Sequence, residues 1–399
     1  MRISTRQAHD SGIDTLTQRQ TELADLQGRM TTGKRVARAS DDPAAAARAE
    51  RAMTATERAT IAERATEASR VVMTQVEAAL GDASSLLQRA RELAVSAGNA
   101  SYSDAERAAV ANEMRSLRSQ LFDVANRDDG AGTWLFGGKG SGDRPFVDAA
   151  GGVVFAGAGG ATTAEAAAGL PLTTDGQRAW LAARTGNGVF QTGAGAMVKN
   201  ATISGGSVAN PSALTGDNID LVFSVTGTTT TYAVLRNGAP TAVTAAPYVA
   251  GQSISIDGMN VAVSGTPASG DTFTIRSSTA DLSVFGALDR AAALLETKGR
   301  TGAQVAQGNG ESLTAIDAVL ANLQGARASA GQVLGRIDSE VDRLADRKLA
   351  AQSERSNAED ADMVHTLSDF KNKQTGYDAA LQSYAMVQRL SLFDYVGGR

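Results

Sequence analysis

Hydrophobic positions at the two ends of the chain recur with helical spacing, while those in the middle alternate. Near the N-terminus Ile13, Leu16, Leu23 and Met30 fall on a heptad seam, with Gln20 and Gln27 in the same stripe. Near the C-terminus Met363, Leu367, Phe370, Gln374, Tyr377, Leu381, Tyr384 and Gln388 alternate spacings of four and three. So narrow a seam buries little unless another helix lies against it. Each end therefore predicts a long helix in need of a partner, and the nearest candidate is the other end.

Between the seams, local signals divide the chain. Ser40-Asp41-Asp42-Pro43 is a helix start: Asp42 can accept from free N–H groups, and Pro43 suits the first helical position. The Ala/Arg/Glu-rich run that follows to Ala97 would extend roughly 80 Å as one helix if continuous, and Gly81 inside it is a point where a helix can kink. Gly98-Asn99 predicts its end, and Ser103 with Glu106 predicts a capping box opening a second helix. Val110, Met114, Leu117, Leu121 and Val124 supply that helix with one apolar stripe, so a helical hairpin is expected.

From Gly137 the character changes. Breaker clusters at 137–142 and 151–160 precede runs of β-forming residues at 219–225, 230–235, 253–256, 260–263 and 272–276. Asn237-Gly238 and Asp257-Gly258 are hairpin turn signals, because both pairs tolerate positive φ. Helical periodicity resumes near Leu282, is interrupted at 298–302 and again at Gly308-Asn309-Gly310, and continues through Leu313, Ile316, Leu320 and Leu323 to Leu334, Ile337, Val341 and Leu344. The expected fold is multidomain α+β: a long antiparallel helical or coiled-coil rod made from both termini, with a central β-rich inserted domain. The expected divisions are residues 1–42 with 355–399 as a terminal coiled-coil domain, 43–140 with 281–354 as a helical rod, and 141–280 as an outer β-rich domain.

Composition narrows the function classes. A net charge of −5 gives no basic footprint for nucleic acid. No stretch approaches the roughly 18–20 apolar residues of a membrane helix. The start Met1-Arg-Ile-Ser-Thr-Arg6 lacks the apolar core of a cleavable secretion signal. With no cysteine there is neither a disulfide nor a cysteine metal site.

Catalytic motifs fail on context. Gly33-Lys34 is followed by Arg35, and Gly138-Lys139 by Gly140 with Thr133 where a glycine is required, so neither completes a phosphate loop. His9 and His365 would need a third ligand to hold a metal. Asp41/Asp42 and Asp128/Asp129 read as cap and turn residues, and Trp134-Leu135-Phe136 as the closure of a core. No enzyme and no cofactor are expected. The glutamines in the seams favour register over raw stability, which suits helices completed by neighbouring subunits.

Several segments resemble the flagellin-like axial proteins of bacterial flagella. Met30-Thr-Thr-Gly-Lys-Arg-Val36 through Ser40-Asp-Asp-Pro-Ala44 is similar to the turn between the terminal coil and the core helix. Arg91-Glu-Leu-Ala-Val-Ser-Ala-Gly-Asn99 with Trp134-Leu-Phe-Gly-Gly138 resembles the next block, and Glu359-Asp-Ala-Asp362 the acidic tetrapeptide before the C-terminal helix. The ending Leu390-Ser-Leu-Phe-Asp-Tyr-Val396 and the middle segments at 200–208 and 251–273 are similar to hook-associated members of the family rather than to filament subunits.

The resemblance implies an extracellular structural subunit at the hook–filament junction, exported through the flagellar type III channel without a cleavable signal. Its implied partners are hook-associated protein 1, flagellin, further copies of itself in a ring, and an export chaperone on the C-terminal helix. The expected assembly interface comprises Ile13, Leu16, Leu23, Met30, Met363, Leu367, Phe370, Tyr377, Leu381, Tyr384, Leu392, Phe393 and Tyr395. Filament flagellin is the nearest alternative; a secreted adhesin-like module is a more distant one.

Overall fold

The computed structural model describes residues 5–99, 101–140 and 142–396; of residues 5, 6, 8 and 387–396 only the backbone course is described. The helices are α1 (Thr5–Thr32), α2 (Pro43–Ala97), α3 (Asp104–Ala125), α4 (Gly176–Trp180), α5 (Val284–Glu296), α6 (Gly302–Glu359) and α7 (Met363–Val396). Strands β1 (Phe146–Ala149), β2 (Gly152–Phe155), β3 (Thr163–Ala164), β4 (Leu170–Pro171), β5 (Phe190–Ala194), β6 (Ala201–Ile203) and β7 (Ser207–Val208) come first. Then follow β8 (Ile219–Thr226), β9 (Thr229–Arg236), β10 (Ala239–Pro240), β11 (Ala246–Pro247), β12 (Ser253–Ile256), β13 (Met259–Gly265) and β14 (Thr272–Ser277). The fold is α+β, with helices from both ends and a central β-rich region. The chain divides into two compact units: residues 1–64 with 341–399, and residues 65–340.

Helix boundaries follow local chemistry. The Ala45 N–H donates to Asp42 Oδ1 at 2.9 Å, so Asp42 caps α2 and Pro43 opens it. Ser103 and Glu106 form a capping box on α3. Helix α2 runs unbroken through Gly81, beside whose Cα lies the Arg327 guanidinium.

One expectation is corrected: Gly308-Asn309-Gly310 lies inside α6 and does not interrupt it. A Cβ on Gly308 would come within 2.5 Å of an Arg300 guanidinium nitrogen, and the Asn309 amide covers Gly98. Close packing accounts for Gly308 and Asn309, and it overrides their weak helix propensity; an added Cβ at Gly310 would meet nothing within 4 Å.

In the unit 65–340, α2 and α6 are antiparallel, as the pairs Arg91–Asp317 (2.6 Å), Glu77–Arg327 (2.6 Å) and Arg70–Asp338 (2.9 Å) show. One core joins them to α3, α5 and the β1–β2 hairpin through Leu80, Leu87, Met114, Leu121, Leu288, Ile316 and Leu323. Leu135, Phe136 and Trp180 close its end. Trp180 stacks on Phe285 at 5.9 Å and meets the edge of Phe136 at 5.4 Å. Of residues 151–200, whose local fold the sequence pattern leaves open, 151–183 build the β1–β2 turn, β2, β3, β4 and α4 around that end, whereas β5 belongs to the second core.

A second core lies between two antiparallel sheets. One has the order β10-β9-β8-β14-β5 with β11 also beside β9; the other has β12-β13-β6 with β7 beside β13. Alternation puts Ile219, Leu221 and Phe223 of β8 inward, beside Phe273 and Ile275 of the neighbouring β14 and packed with Val261 and Val263 of β13 from the other sheet. Asn237 and Gly238 (φ 50° and 82°) turn β9 into β10, and Asp257 and Gly258 (φ 47° and 77°) turn β12 into β13. Both are the two-residue hairpins that their sequences predict.

Candidate assembly surface

The surface is built in the unit 1–64 with 341–399. After α1 the chain turns at Gly33 (φ 71°), and the segment 33–36 pairs with the end of α6. The N–H groups of Arg35 and Val36 donate to the Glu359 carbonyl at 2.7 and 3.2 Å, and the Ala361 N–H donates to the Gly33 carbonyl at 2.9 Å. Lys34 Nζ lies 3.2 Å from the Glu359 carboxylate, and Arg35 bridges the Ala358 carbonyl (2.9 Å) and Asp42 (3.3 Å). Two sequence blocks more than 300 residues apart are thereby one structural joint, with Val36, Ala45 and Ala358 buried around it.

Local carboxylates hold the joint's loops. Asp41 accepts from the Arg38 and Ala37 N–H groups, which hold its pKa below the usual carboxylate value. The Ala45 N–H, and then the Arg35 side chain, do the same for Asp42. Asp362 accepts from the N–H groups of Val364 and His365 at 3.0 and 3.1 Å and so caps α7.

From this joint α7 runs back along α1. Lys373 meets Glu22 at 2.6 Å, the Arg19 guanidinium lies over Gly376, and Tyr384 lies over Gly12 with its hydroxyl 3.0 Å from His9 Nδ1. Position numbers rise on α1 as they fall on α7, so the pair is antiparallel. Each glycine admits a large side chain from the opposite helix. Lys373, as hydrogen-bond donor and neighbouring cation, lowers the Glu22 pKa from its ordinary value.

The expected interface residues divide into two sets. Leu16, Leu23, Met30, Phe370, Tyr377 and Tyr384 are half-buried. Ile13, Met363, Leu367 and Leu381 remain 40–47 % exposed, although α1 and α7 are paired. Leu392, Phe393 and Tyr395 lie outside the residues whose side chains are described. Sequence reasoning missed Val364 and Met386, at 83 % and 60 % exposure, and the polar contacts of Arg19, Glu22 and Lys373. Gly376 was the one sequence signal for the Arg19 contact, and the Glu22–Lys373 pair had none.

His9 and His365 are apart: His365 pairs with Asp369 one turn on, at 3.0 Å. Among the described residues no group of three or more His, Asp or Glu side chains is placed to hold a metal ion. No helix of the described residues is long and apolar enough to cross a membrane.

Residues 3–141 match the bacterial flagellin N-terminal helical region, and residues 313–396 match the bacterial flagellin C-terminal helical region. The chain belongs to the flagellin-like axial proteins. Both matched regions carry the joint and the α1–α7 pair. Within this flagellin-like chain, residues 198–277 match the D2-like domain of flagellar hook-associated protein 1.

Similarity to individual proteins is of the same kind. The chain is 26% identical to flagellar hook-associated protein 3 of Escherichia coli, across 98% of this chain and 99% of the relative. It is 35% identical over 156 residues to flagellar hook-associated protein 3 of Salmonella typhimurium; that match covers 38% of this chain and 48% of the relative, about half its length. The crystal structure of Xanthomonas campestris FlgL superposes with a TM-score of 0.68 at 28% identity, covering 77% of this chain and 99% of that one.

Proposed function

We propose that this flagellin-like chain is a structural adaptor of the bacterial flagellum, joining hook-associated protein 1 to the flagellin filament, and that it has no enzymatic role. The observation that carries the reading is a combination of parts. Helices matched to both ends of flagellin flank a β region matched to a domain of hook-associated protein 1. An adaptor between those two lattices would present features of each.

In this reading, residues 1–42 with 355–399 form the axial domain, 43–140 with 281–354 the rod, and 141–280 the outer part, of which 146–183 pack into the helical core and 190–277 form the β module. Ile13, Met363, Leu367 and Leu381 contact neighbouring subunits in a ring of copies, through knobs-into-holes packing. The half-buried Leu16, Leu23, Met30, Phe370, Tyr377 and Tyr384, together with Leu392, Phe393 and Tyr395, complete the surface. An export chaperone holds the C-terminal helix before secretion by the type III channel, and the assembled subunit is extracellular.

The test is a cryo-EM image of labelled protein on intact flagella, with the label expected at the hook–filament boundary. Label distributed along the filament, or long filaments grown from the purified chain alone, would replace this reading with that of a filament flagellin.

A further inference from the structure

The two cores of the unit 65–340 share no residue, and a cleft of about 630 Å³ separates them. Its walls are hydroxyl-rich: Thr192, Thr202 and Ser204 on the sheet side face Glu311 and Thr314 of α6. Arg276 at its edge is already held by Asp220 at 2.5 Å and by the Ile219 carbonyl at 2.8 Å. The cleft has no aromatic platform, and its few apolar residues, Ile203 and Leu282 among them, are interspersed with polar ones, so water fills it more readily than an organic ligand.

Two sets of hydrogen bonds bridge it among the described residues. The first is a neck of two antiparallel segments, 183–187 and 278–282. Ala183 and Leu282 exchange backbone hydrogen bonds (3.1 and 2.9 Å), and the Thr185 N–H donates to the Thr279 carbonyl at 2.9 Å. The second is one face of the first turns of α6. Thr301, Gln304 and Gln307, three residues apart, all bond backbone of the segment 198–203. The Thr301 hydroxyl donates to the Lys199 carbonyl, Gln304 Nε2 donates to the Val198 carbonyl (3.1 Å), and the Ile203 N–H donates to Gln307 Oε1 (2.9 Å). Gln307 is itself steadied by Glu311 at 2.7 Å.

We propose that Thr301, Gln304 and Gln307 are a latch that fixes the tilt of the β module on the helical body, and that the module swings about the 183–187/278–282 neck when the latch opens. Ala183 and Leu282 root the neck in the helical core, and beyond them the Thr185–Thr279 pairing lies outside both cores, so the twist falls there. The latch consists of side-chain bonds to backbone at the edge of a solvated cleft. Such bonds contribute little net stability each and open independently of the cores. A two-position module of this kind lets one chain match neighbours of different curvature.

The chain contains no cysteine, so Ser85→Cys on α2 and Thr228→Cys at the β8–β9 turn take spin labels selectively. Electron–electron distance distributions are compared with and without Gln304→Ala/Gln307→Ala. A narrow distribution in the parent that broadens or gains a second peak in the variant supports the latch. Equal widths in the two, narrow or broad, overturn it.

The single variant Gln307→Ala, which keeps Thr301 and Gln304, serves if the double variant fails to fold. Its Ile203 amide is expected to exchange about tenfold faster while the Val261 and Val263 amides of β13 keep their rates. Unchanged exchange at Ile203, or equal acceleration at all three, counts against the latch.

Discussion

Lys373 of α7 closes on Glu22 of α1 at 2.6 Å, across 351 residues of sequence. Because Lys373 depresses the Glu22 pKa, the contribution of this pair is present above the ordinary Glu value near 4.5 and is lost as pH falls through the lower folded value. Acidification below the ordinary Glu value is therefore expected to weaken this tie between α1 and α7. Amide exchange of α1 measured at pH 6 and pH 3.5 checks this, after correction for intrinsic rates. Glu22→Gln should remove much of the difference, and an unchanged pH response in that variant would remove the pair from the account.

Trp180 is fully buried, and its indole Nε1 has no hydrogen-bond partner among the described residues. The ring therefore stabilises by packing on Phe285 and Phe136 rather than through its polar atom. Trp180→Phe is expected to cost about 1–2 kcal/mol, against about 3–5 kcal/mol for Trp180→Ala. Urea unfolding of both variants measures the contrast. Equal costs would show that the indole N–H is bonded in solution.

Gly238 and Gly258 occupy the same position of two like turns, yet their surroundings differ. A Cβ on Gly238 would meet nothing within 4 Å, whereas one on Gly258 would approach the Asn210 carbonyl oxygen to 2.2 Å. The Ala209 and Asn210 N–H groups both donate to the Gly258 carbonyl, so the crowded side cannot retreat freely. Gly238→Ala should cost about 1 kcal/mol for the left-handed backbone alone, and Gly258→Ala distinctly more. Thermal unfolding gives the order, and a smaller loss for Gly258→Ala would contradict it.

Gly331 and Gly335 lie in the exposed interior of α6, where an added Cβ would meet nothing within 4 Å. Within a helix each glycine is less favourable than alanine by about 1 kcal/mol. Gly331→Ala and Gly335→Ala are therefore expected to stabilise the free chain by about that amount each. Denaturant midpoints test it, and a loss of stability would mean that contacts at these positions differ from those described.

How much of this was readable beforehand depended on the range of the forces involved. Asp42-Pro43, Ser103 with Glu106, Asn237-Gly238 and Asp257-Gly258 act over a few residues, and each marks the boundary or turn its chemistry dictates. The seams of α1 and α7 were readable as period. Which of their residues face each other was not, because that depends on Arg19 over Gly376 and Tyr384 over Gly12. Strand β5 was invisible for the same reason: Phe190 and Gln191 become strand through pairing with Ser277 and Arg276, more than 80 residues away. The Gly308–Gly310 segment misled in the opposite direction, since local propensity predicted a break where packing against Arg300 and Gly98 accounts for Gly308 and Asn309.

The division of the seam residues gives the sharpest test of the assembly reading. Leu367 and Leu381 are 47 % and 40 % exposed in the free chain, so replacing them removes little intramolecular burial. Leu367→Ser and Leu381→Ser should change monomer stability by no more than about 0.5 kcal/mol. Leu23 and Phe370 are half-buried, so Leu23→Ser and Phe370→Ser should loosen α1 and α7 themselves, seen as faster amide exchange in both helices. In cells carrying each variant, the exposed pair is expected to be secreted normally yet fail to hold a filament. Full motility with Leu367→Ser/Leu381→Ser would show that this face meets no neighbour, whatever the half-buried variants do.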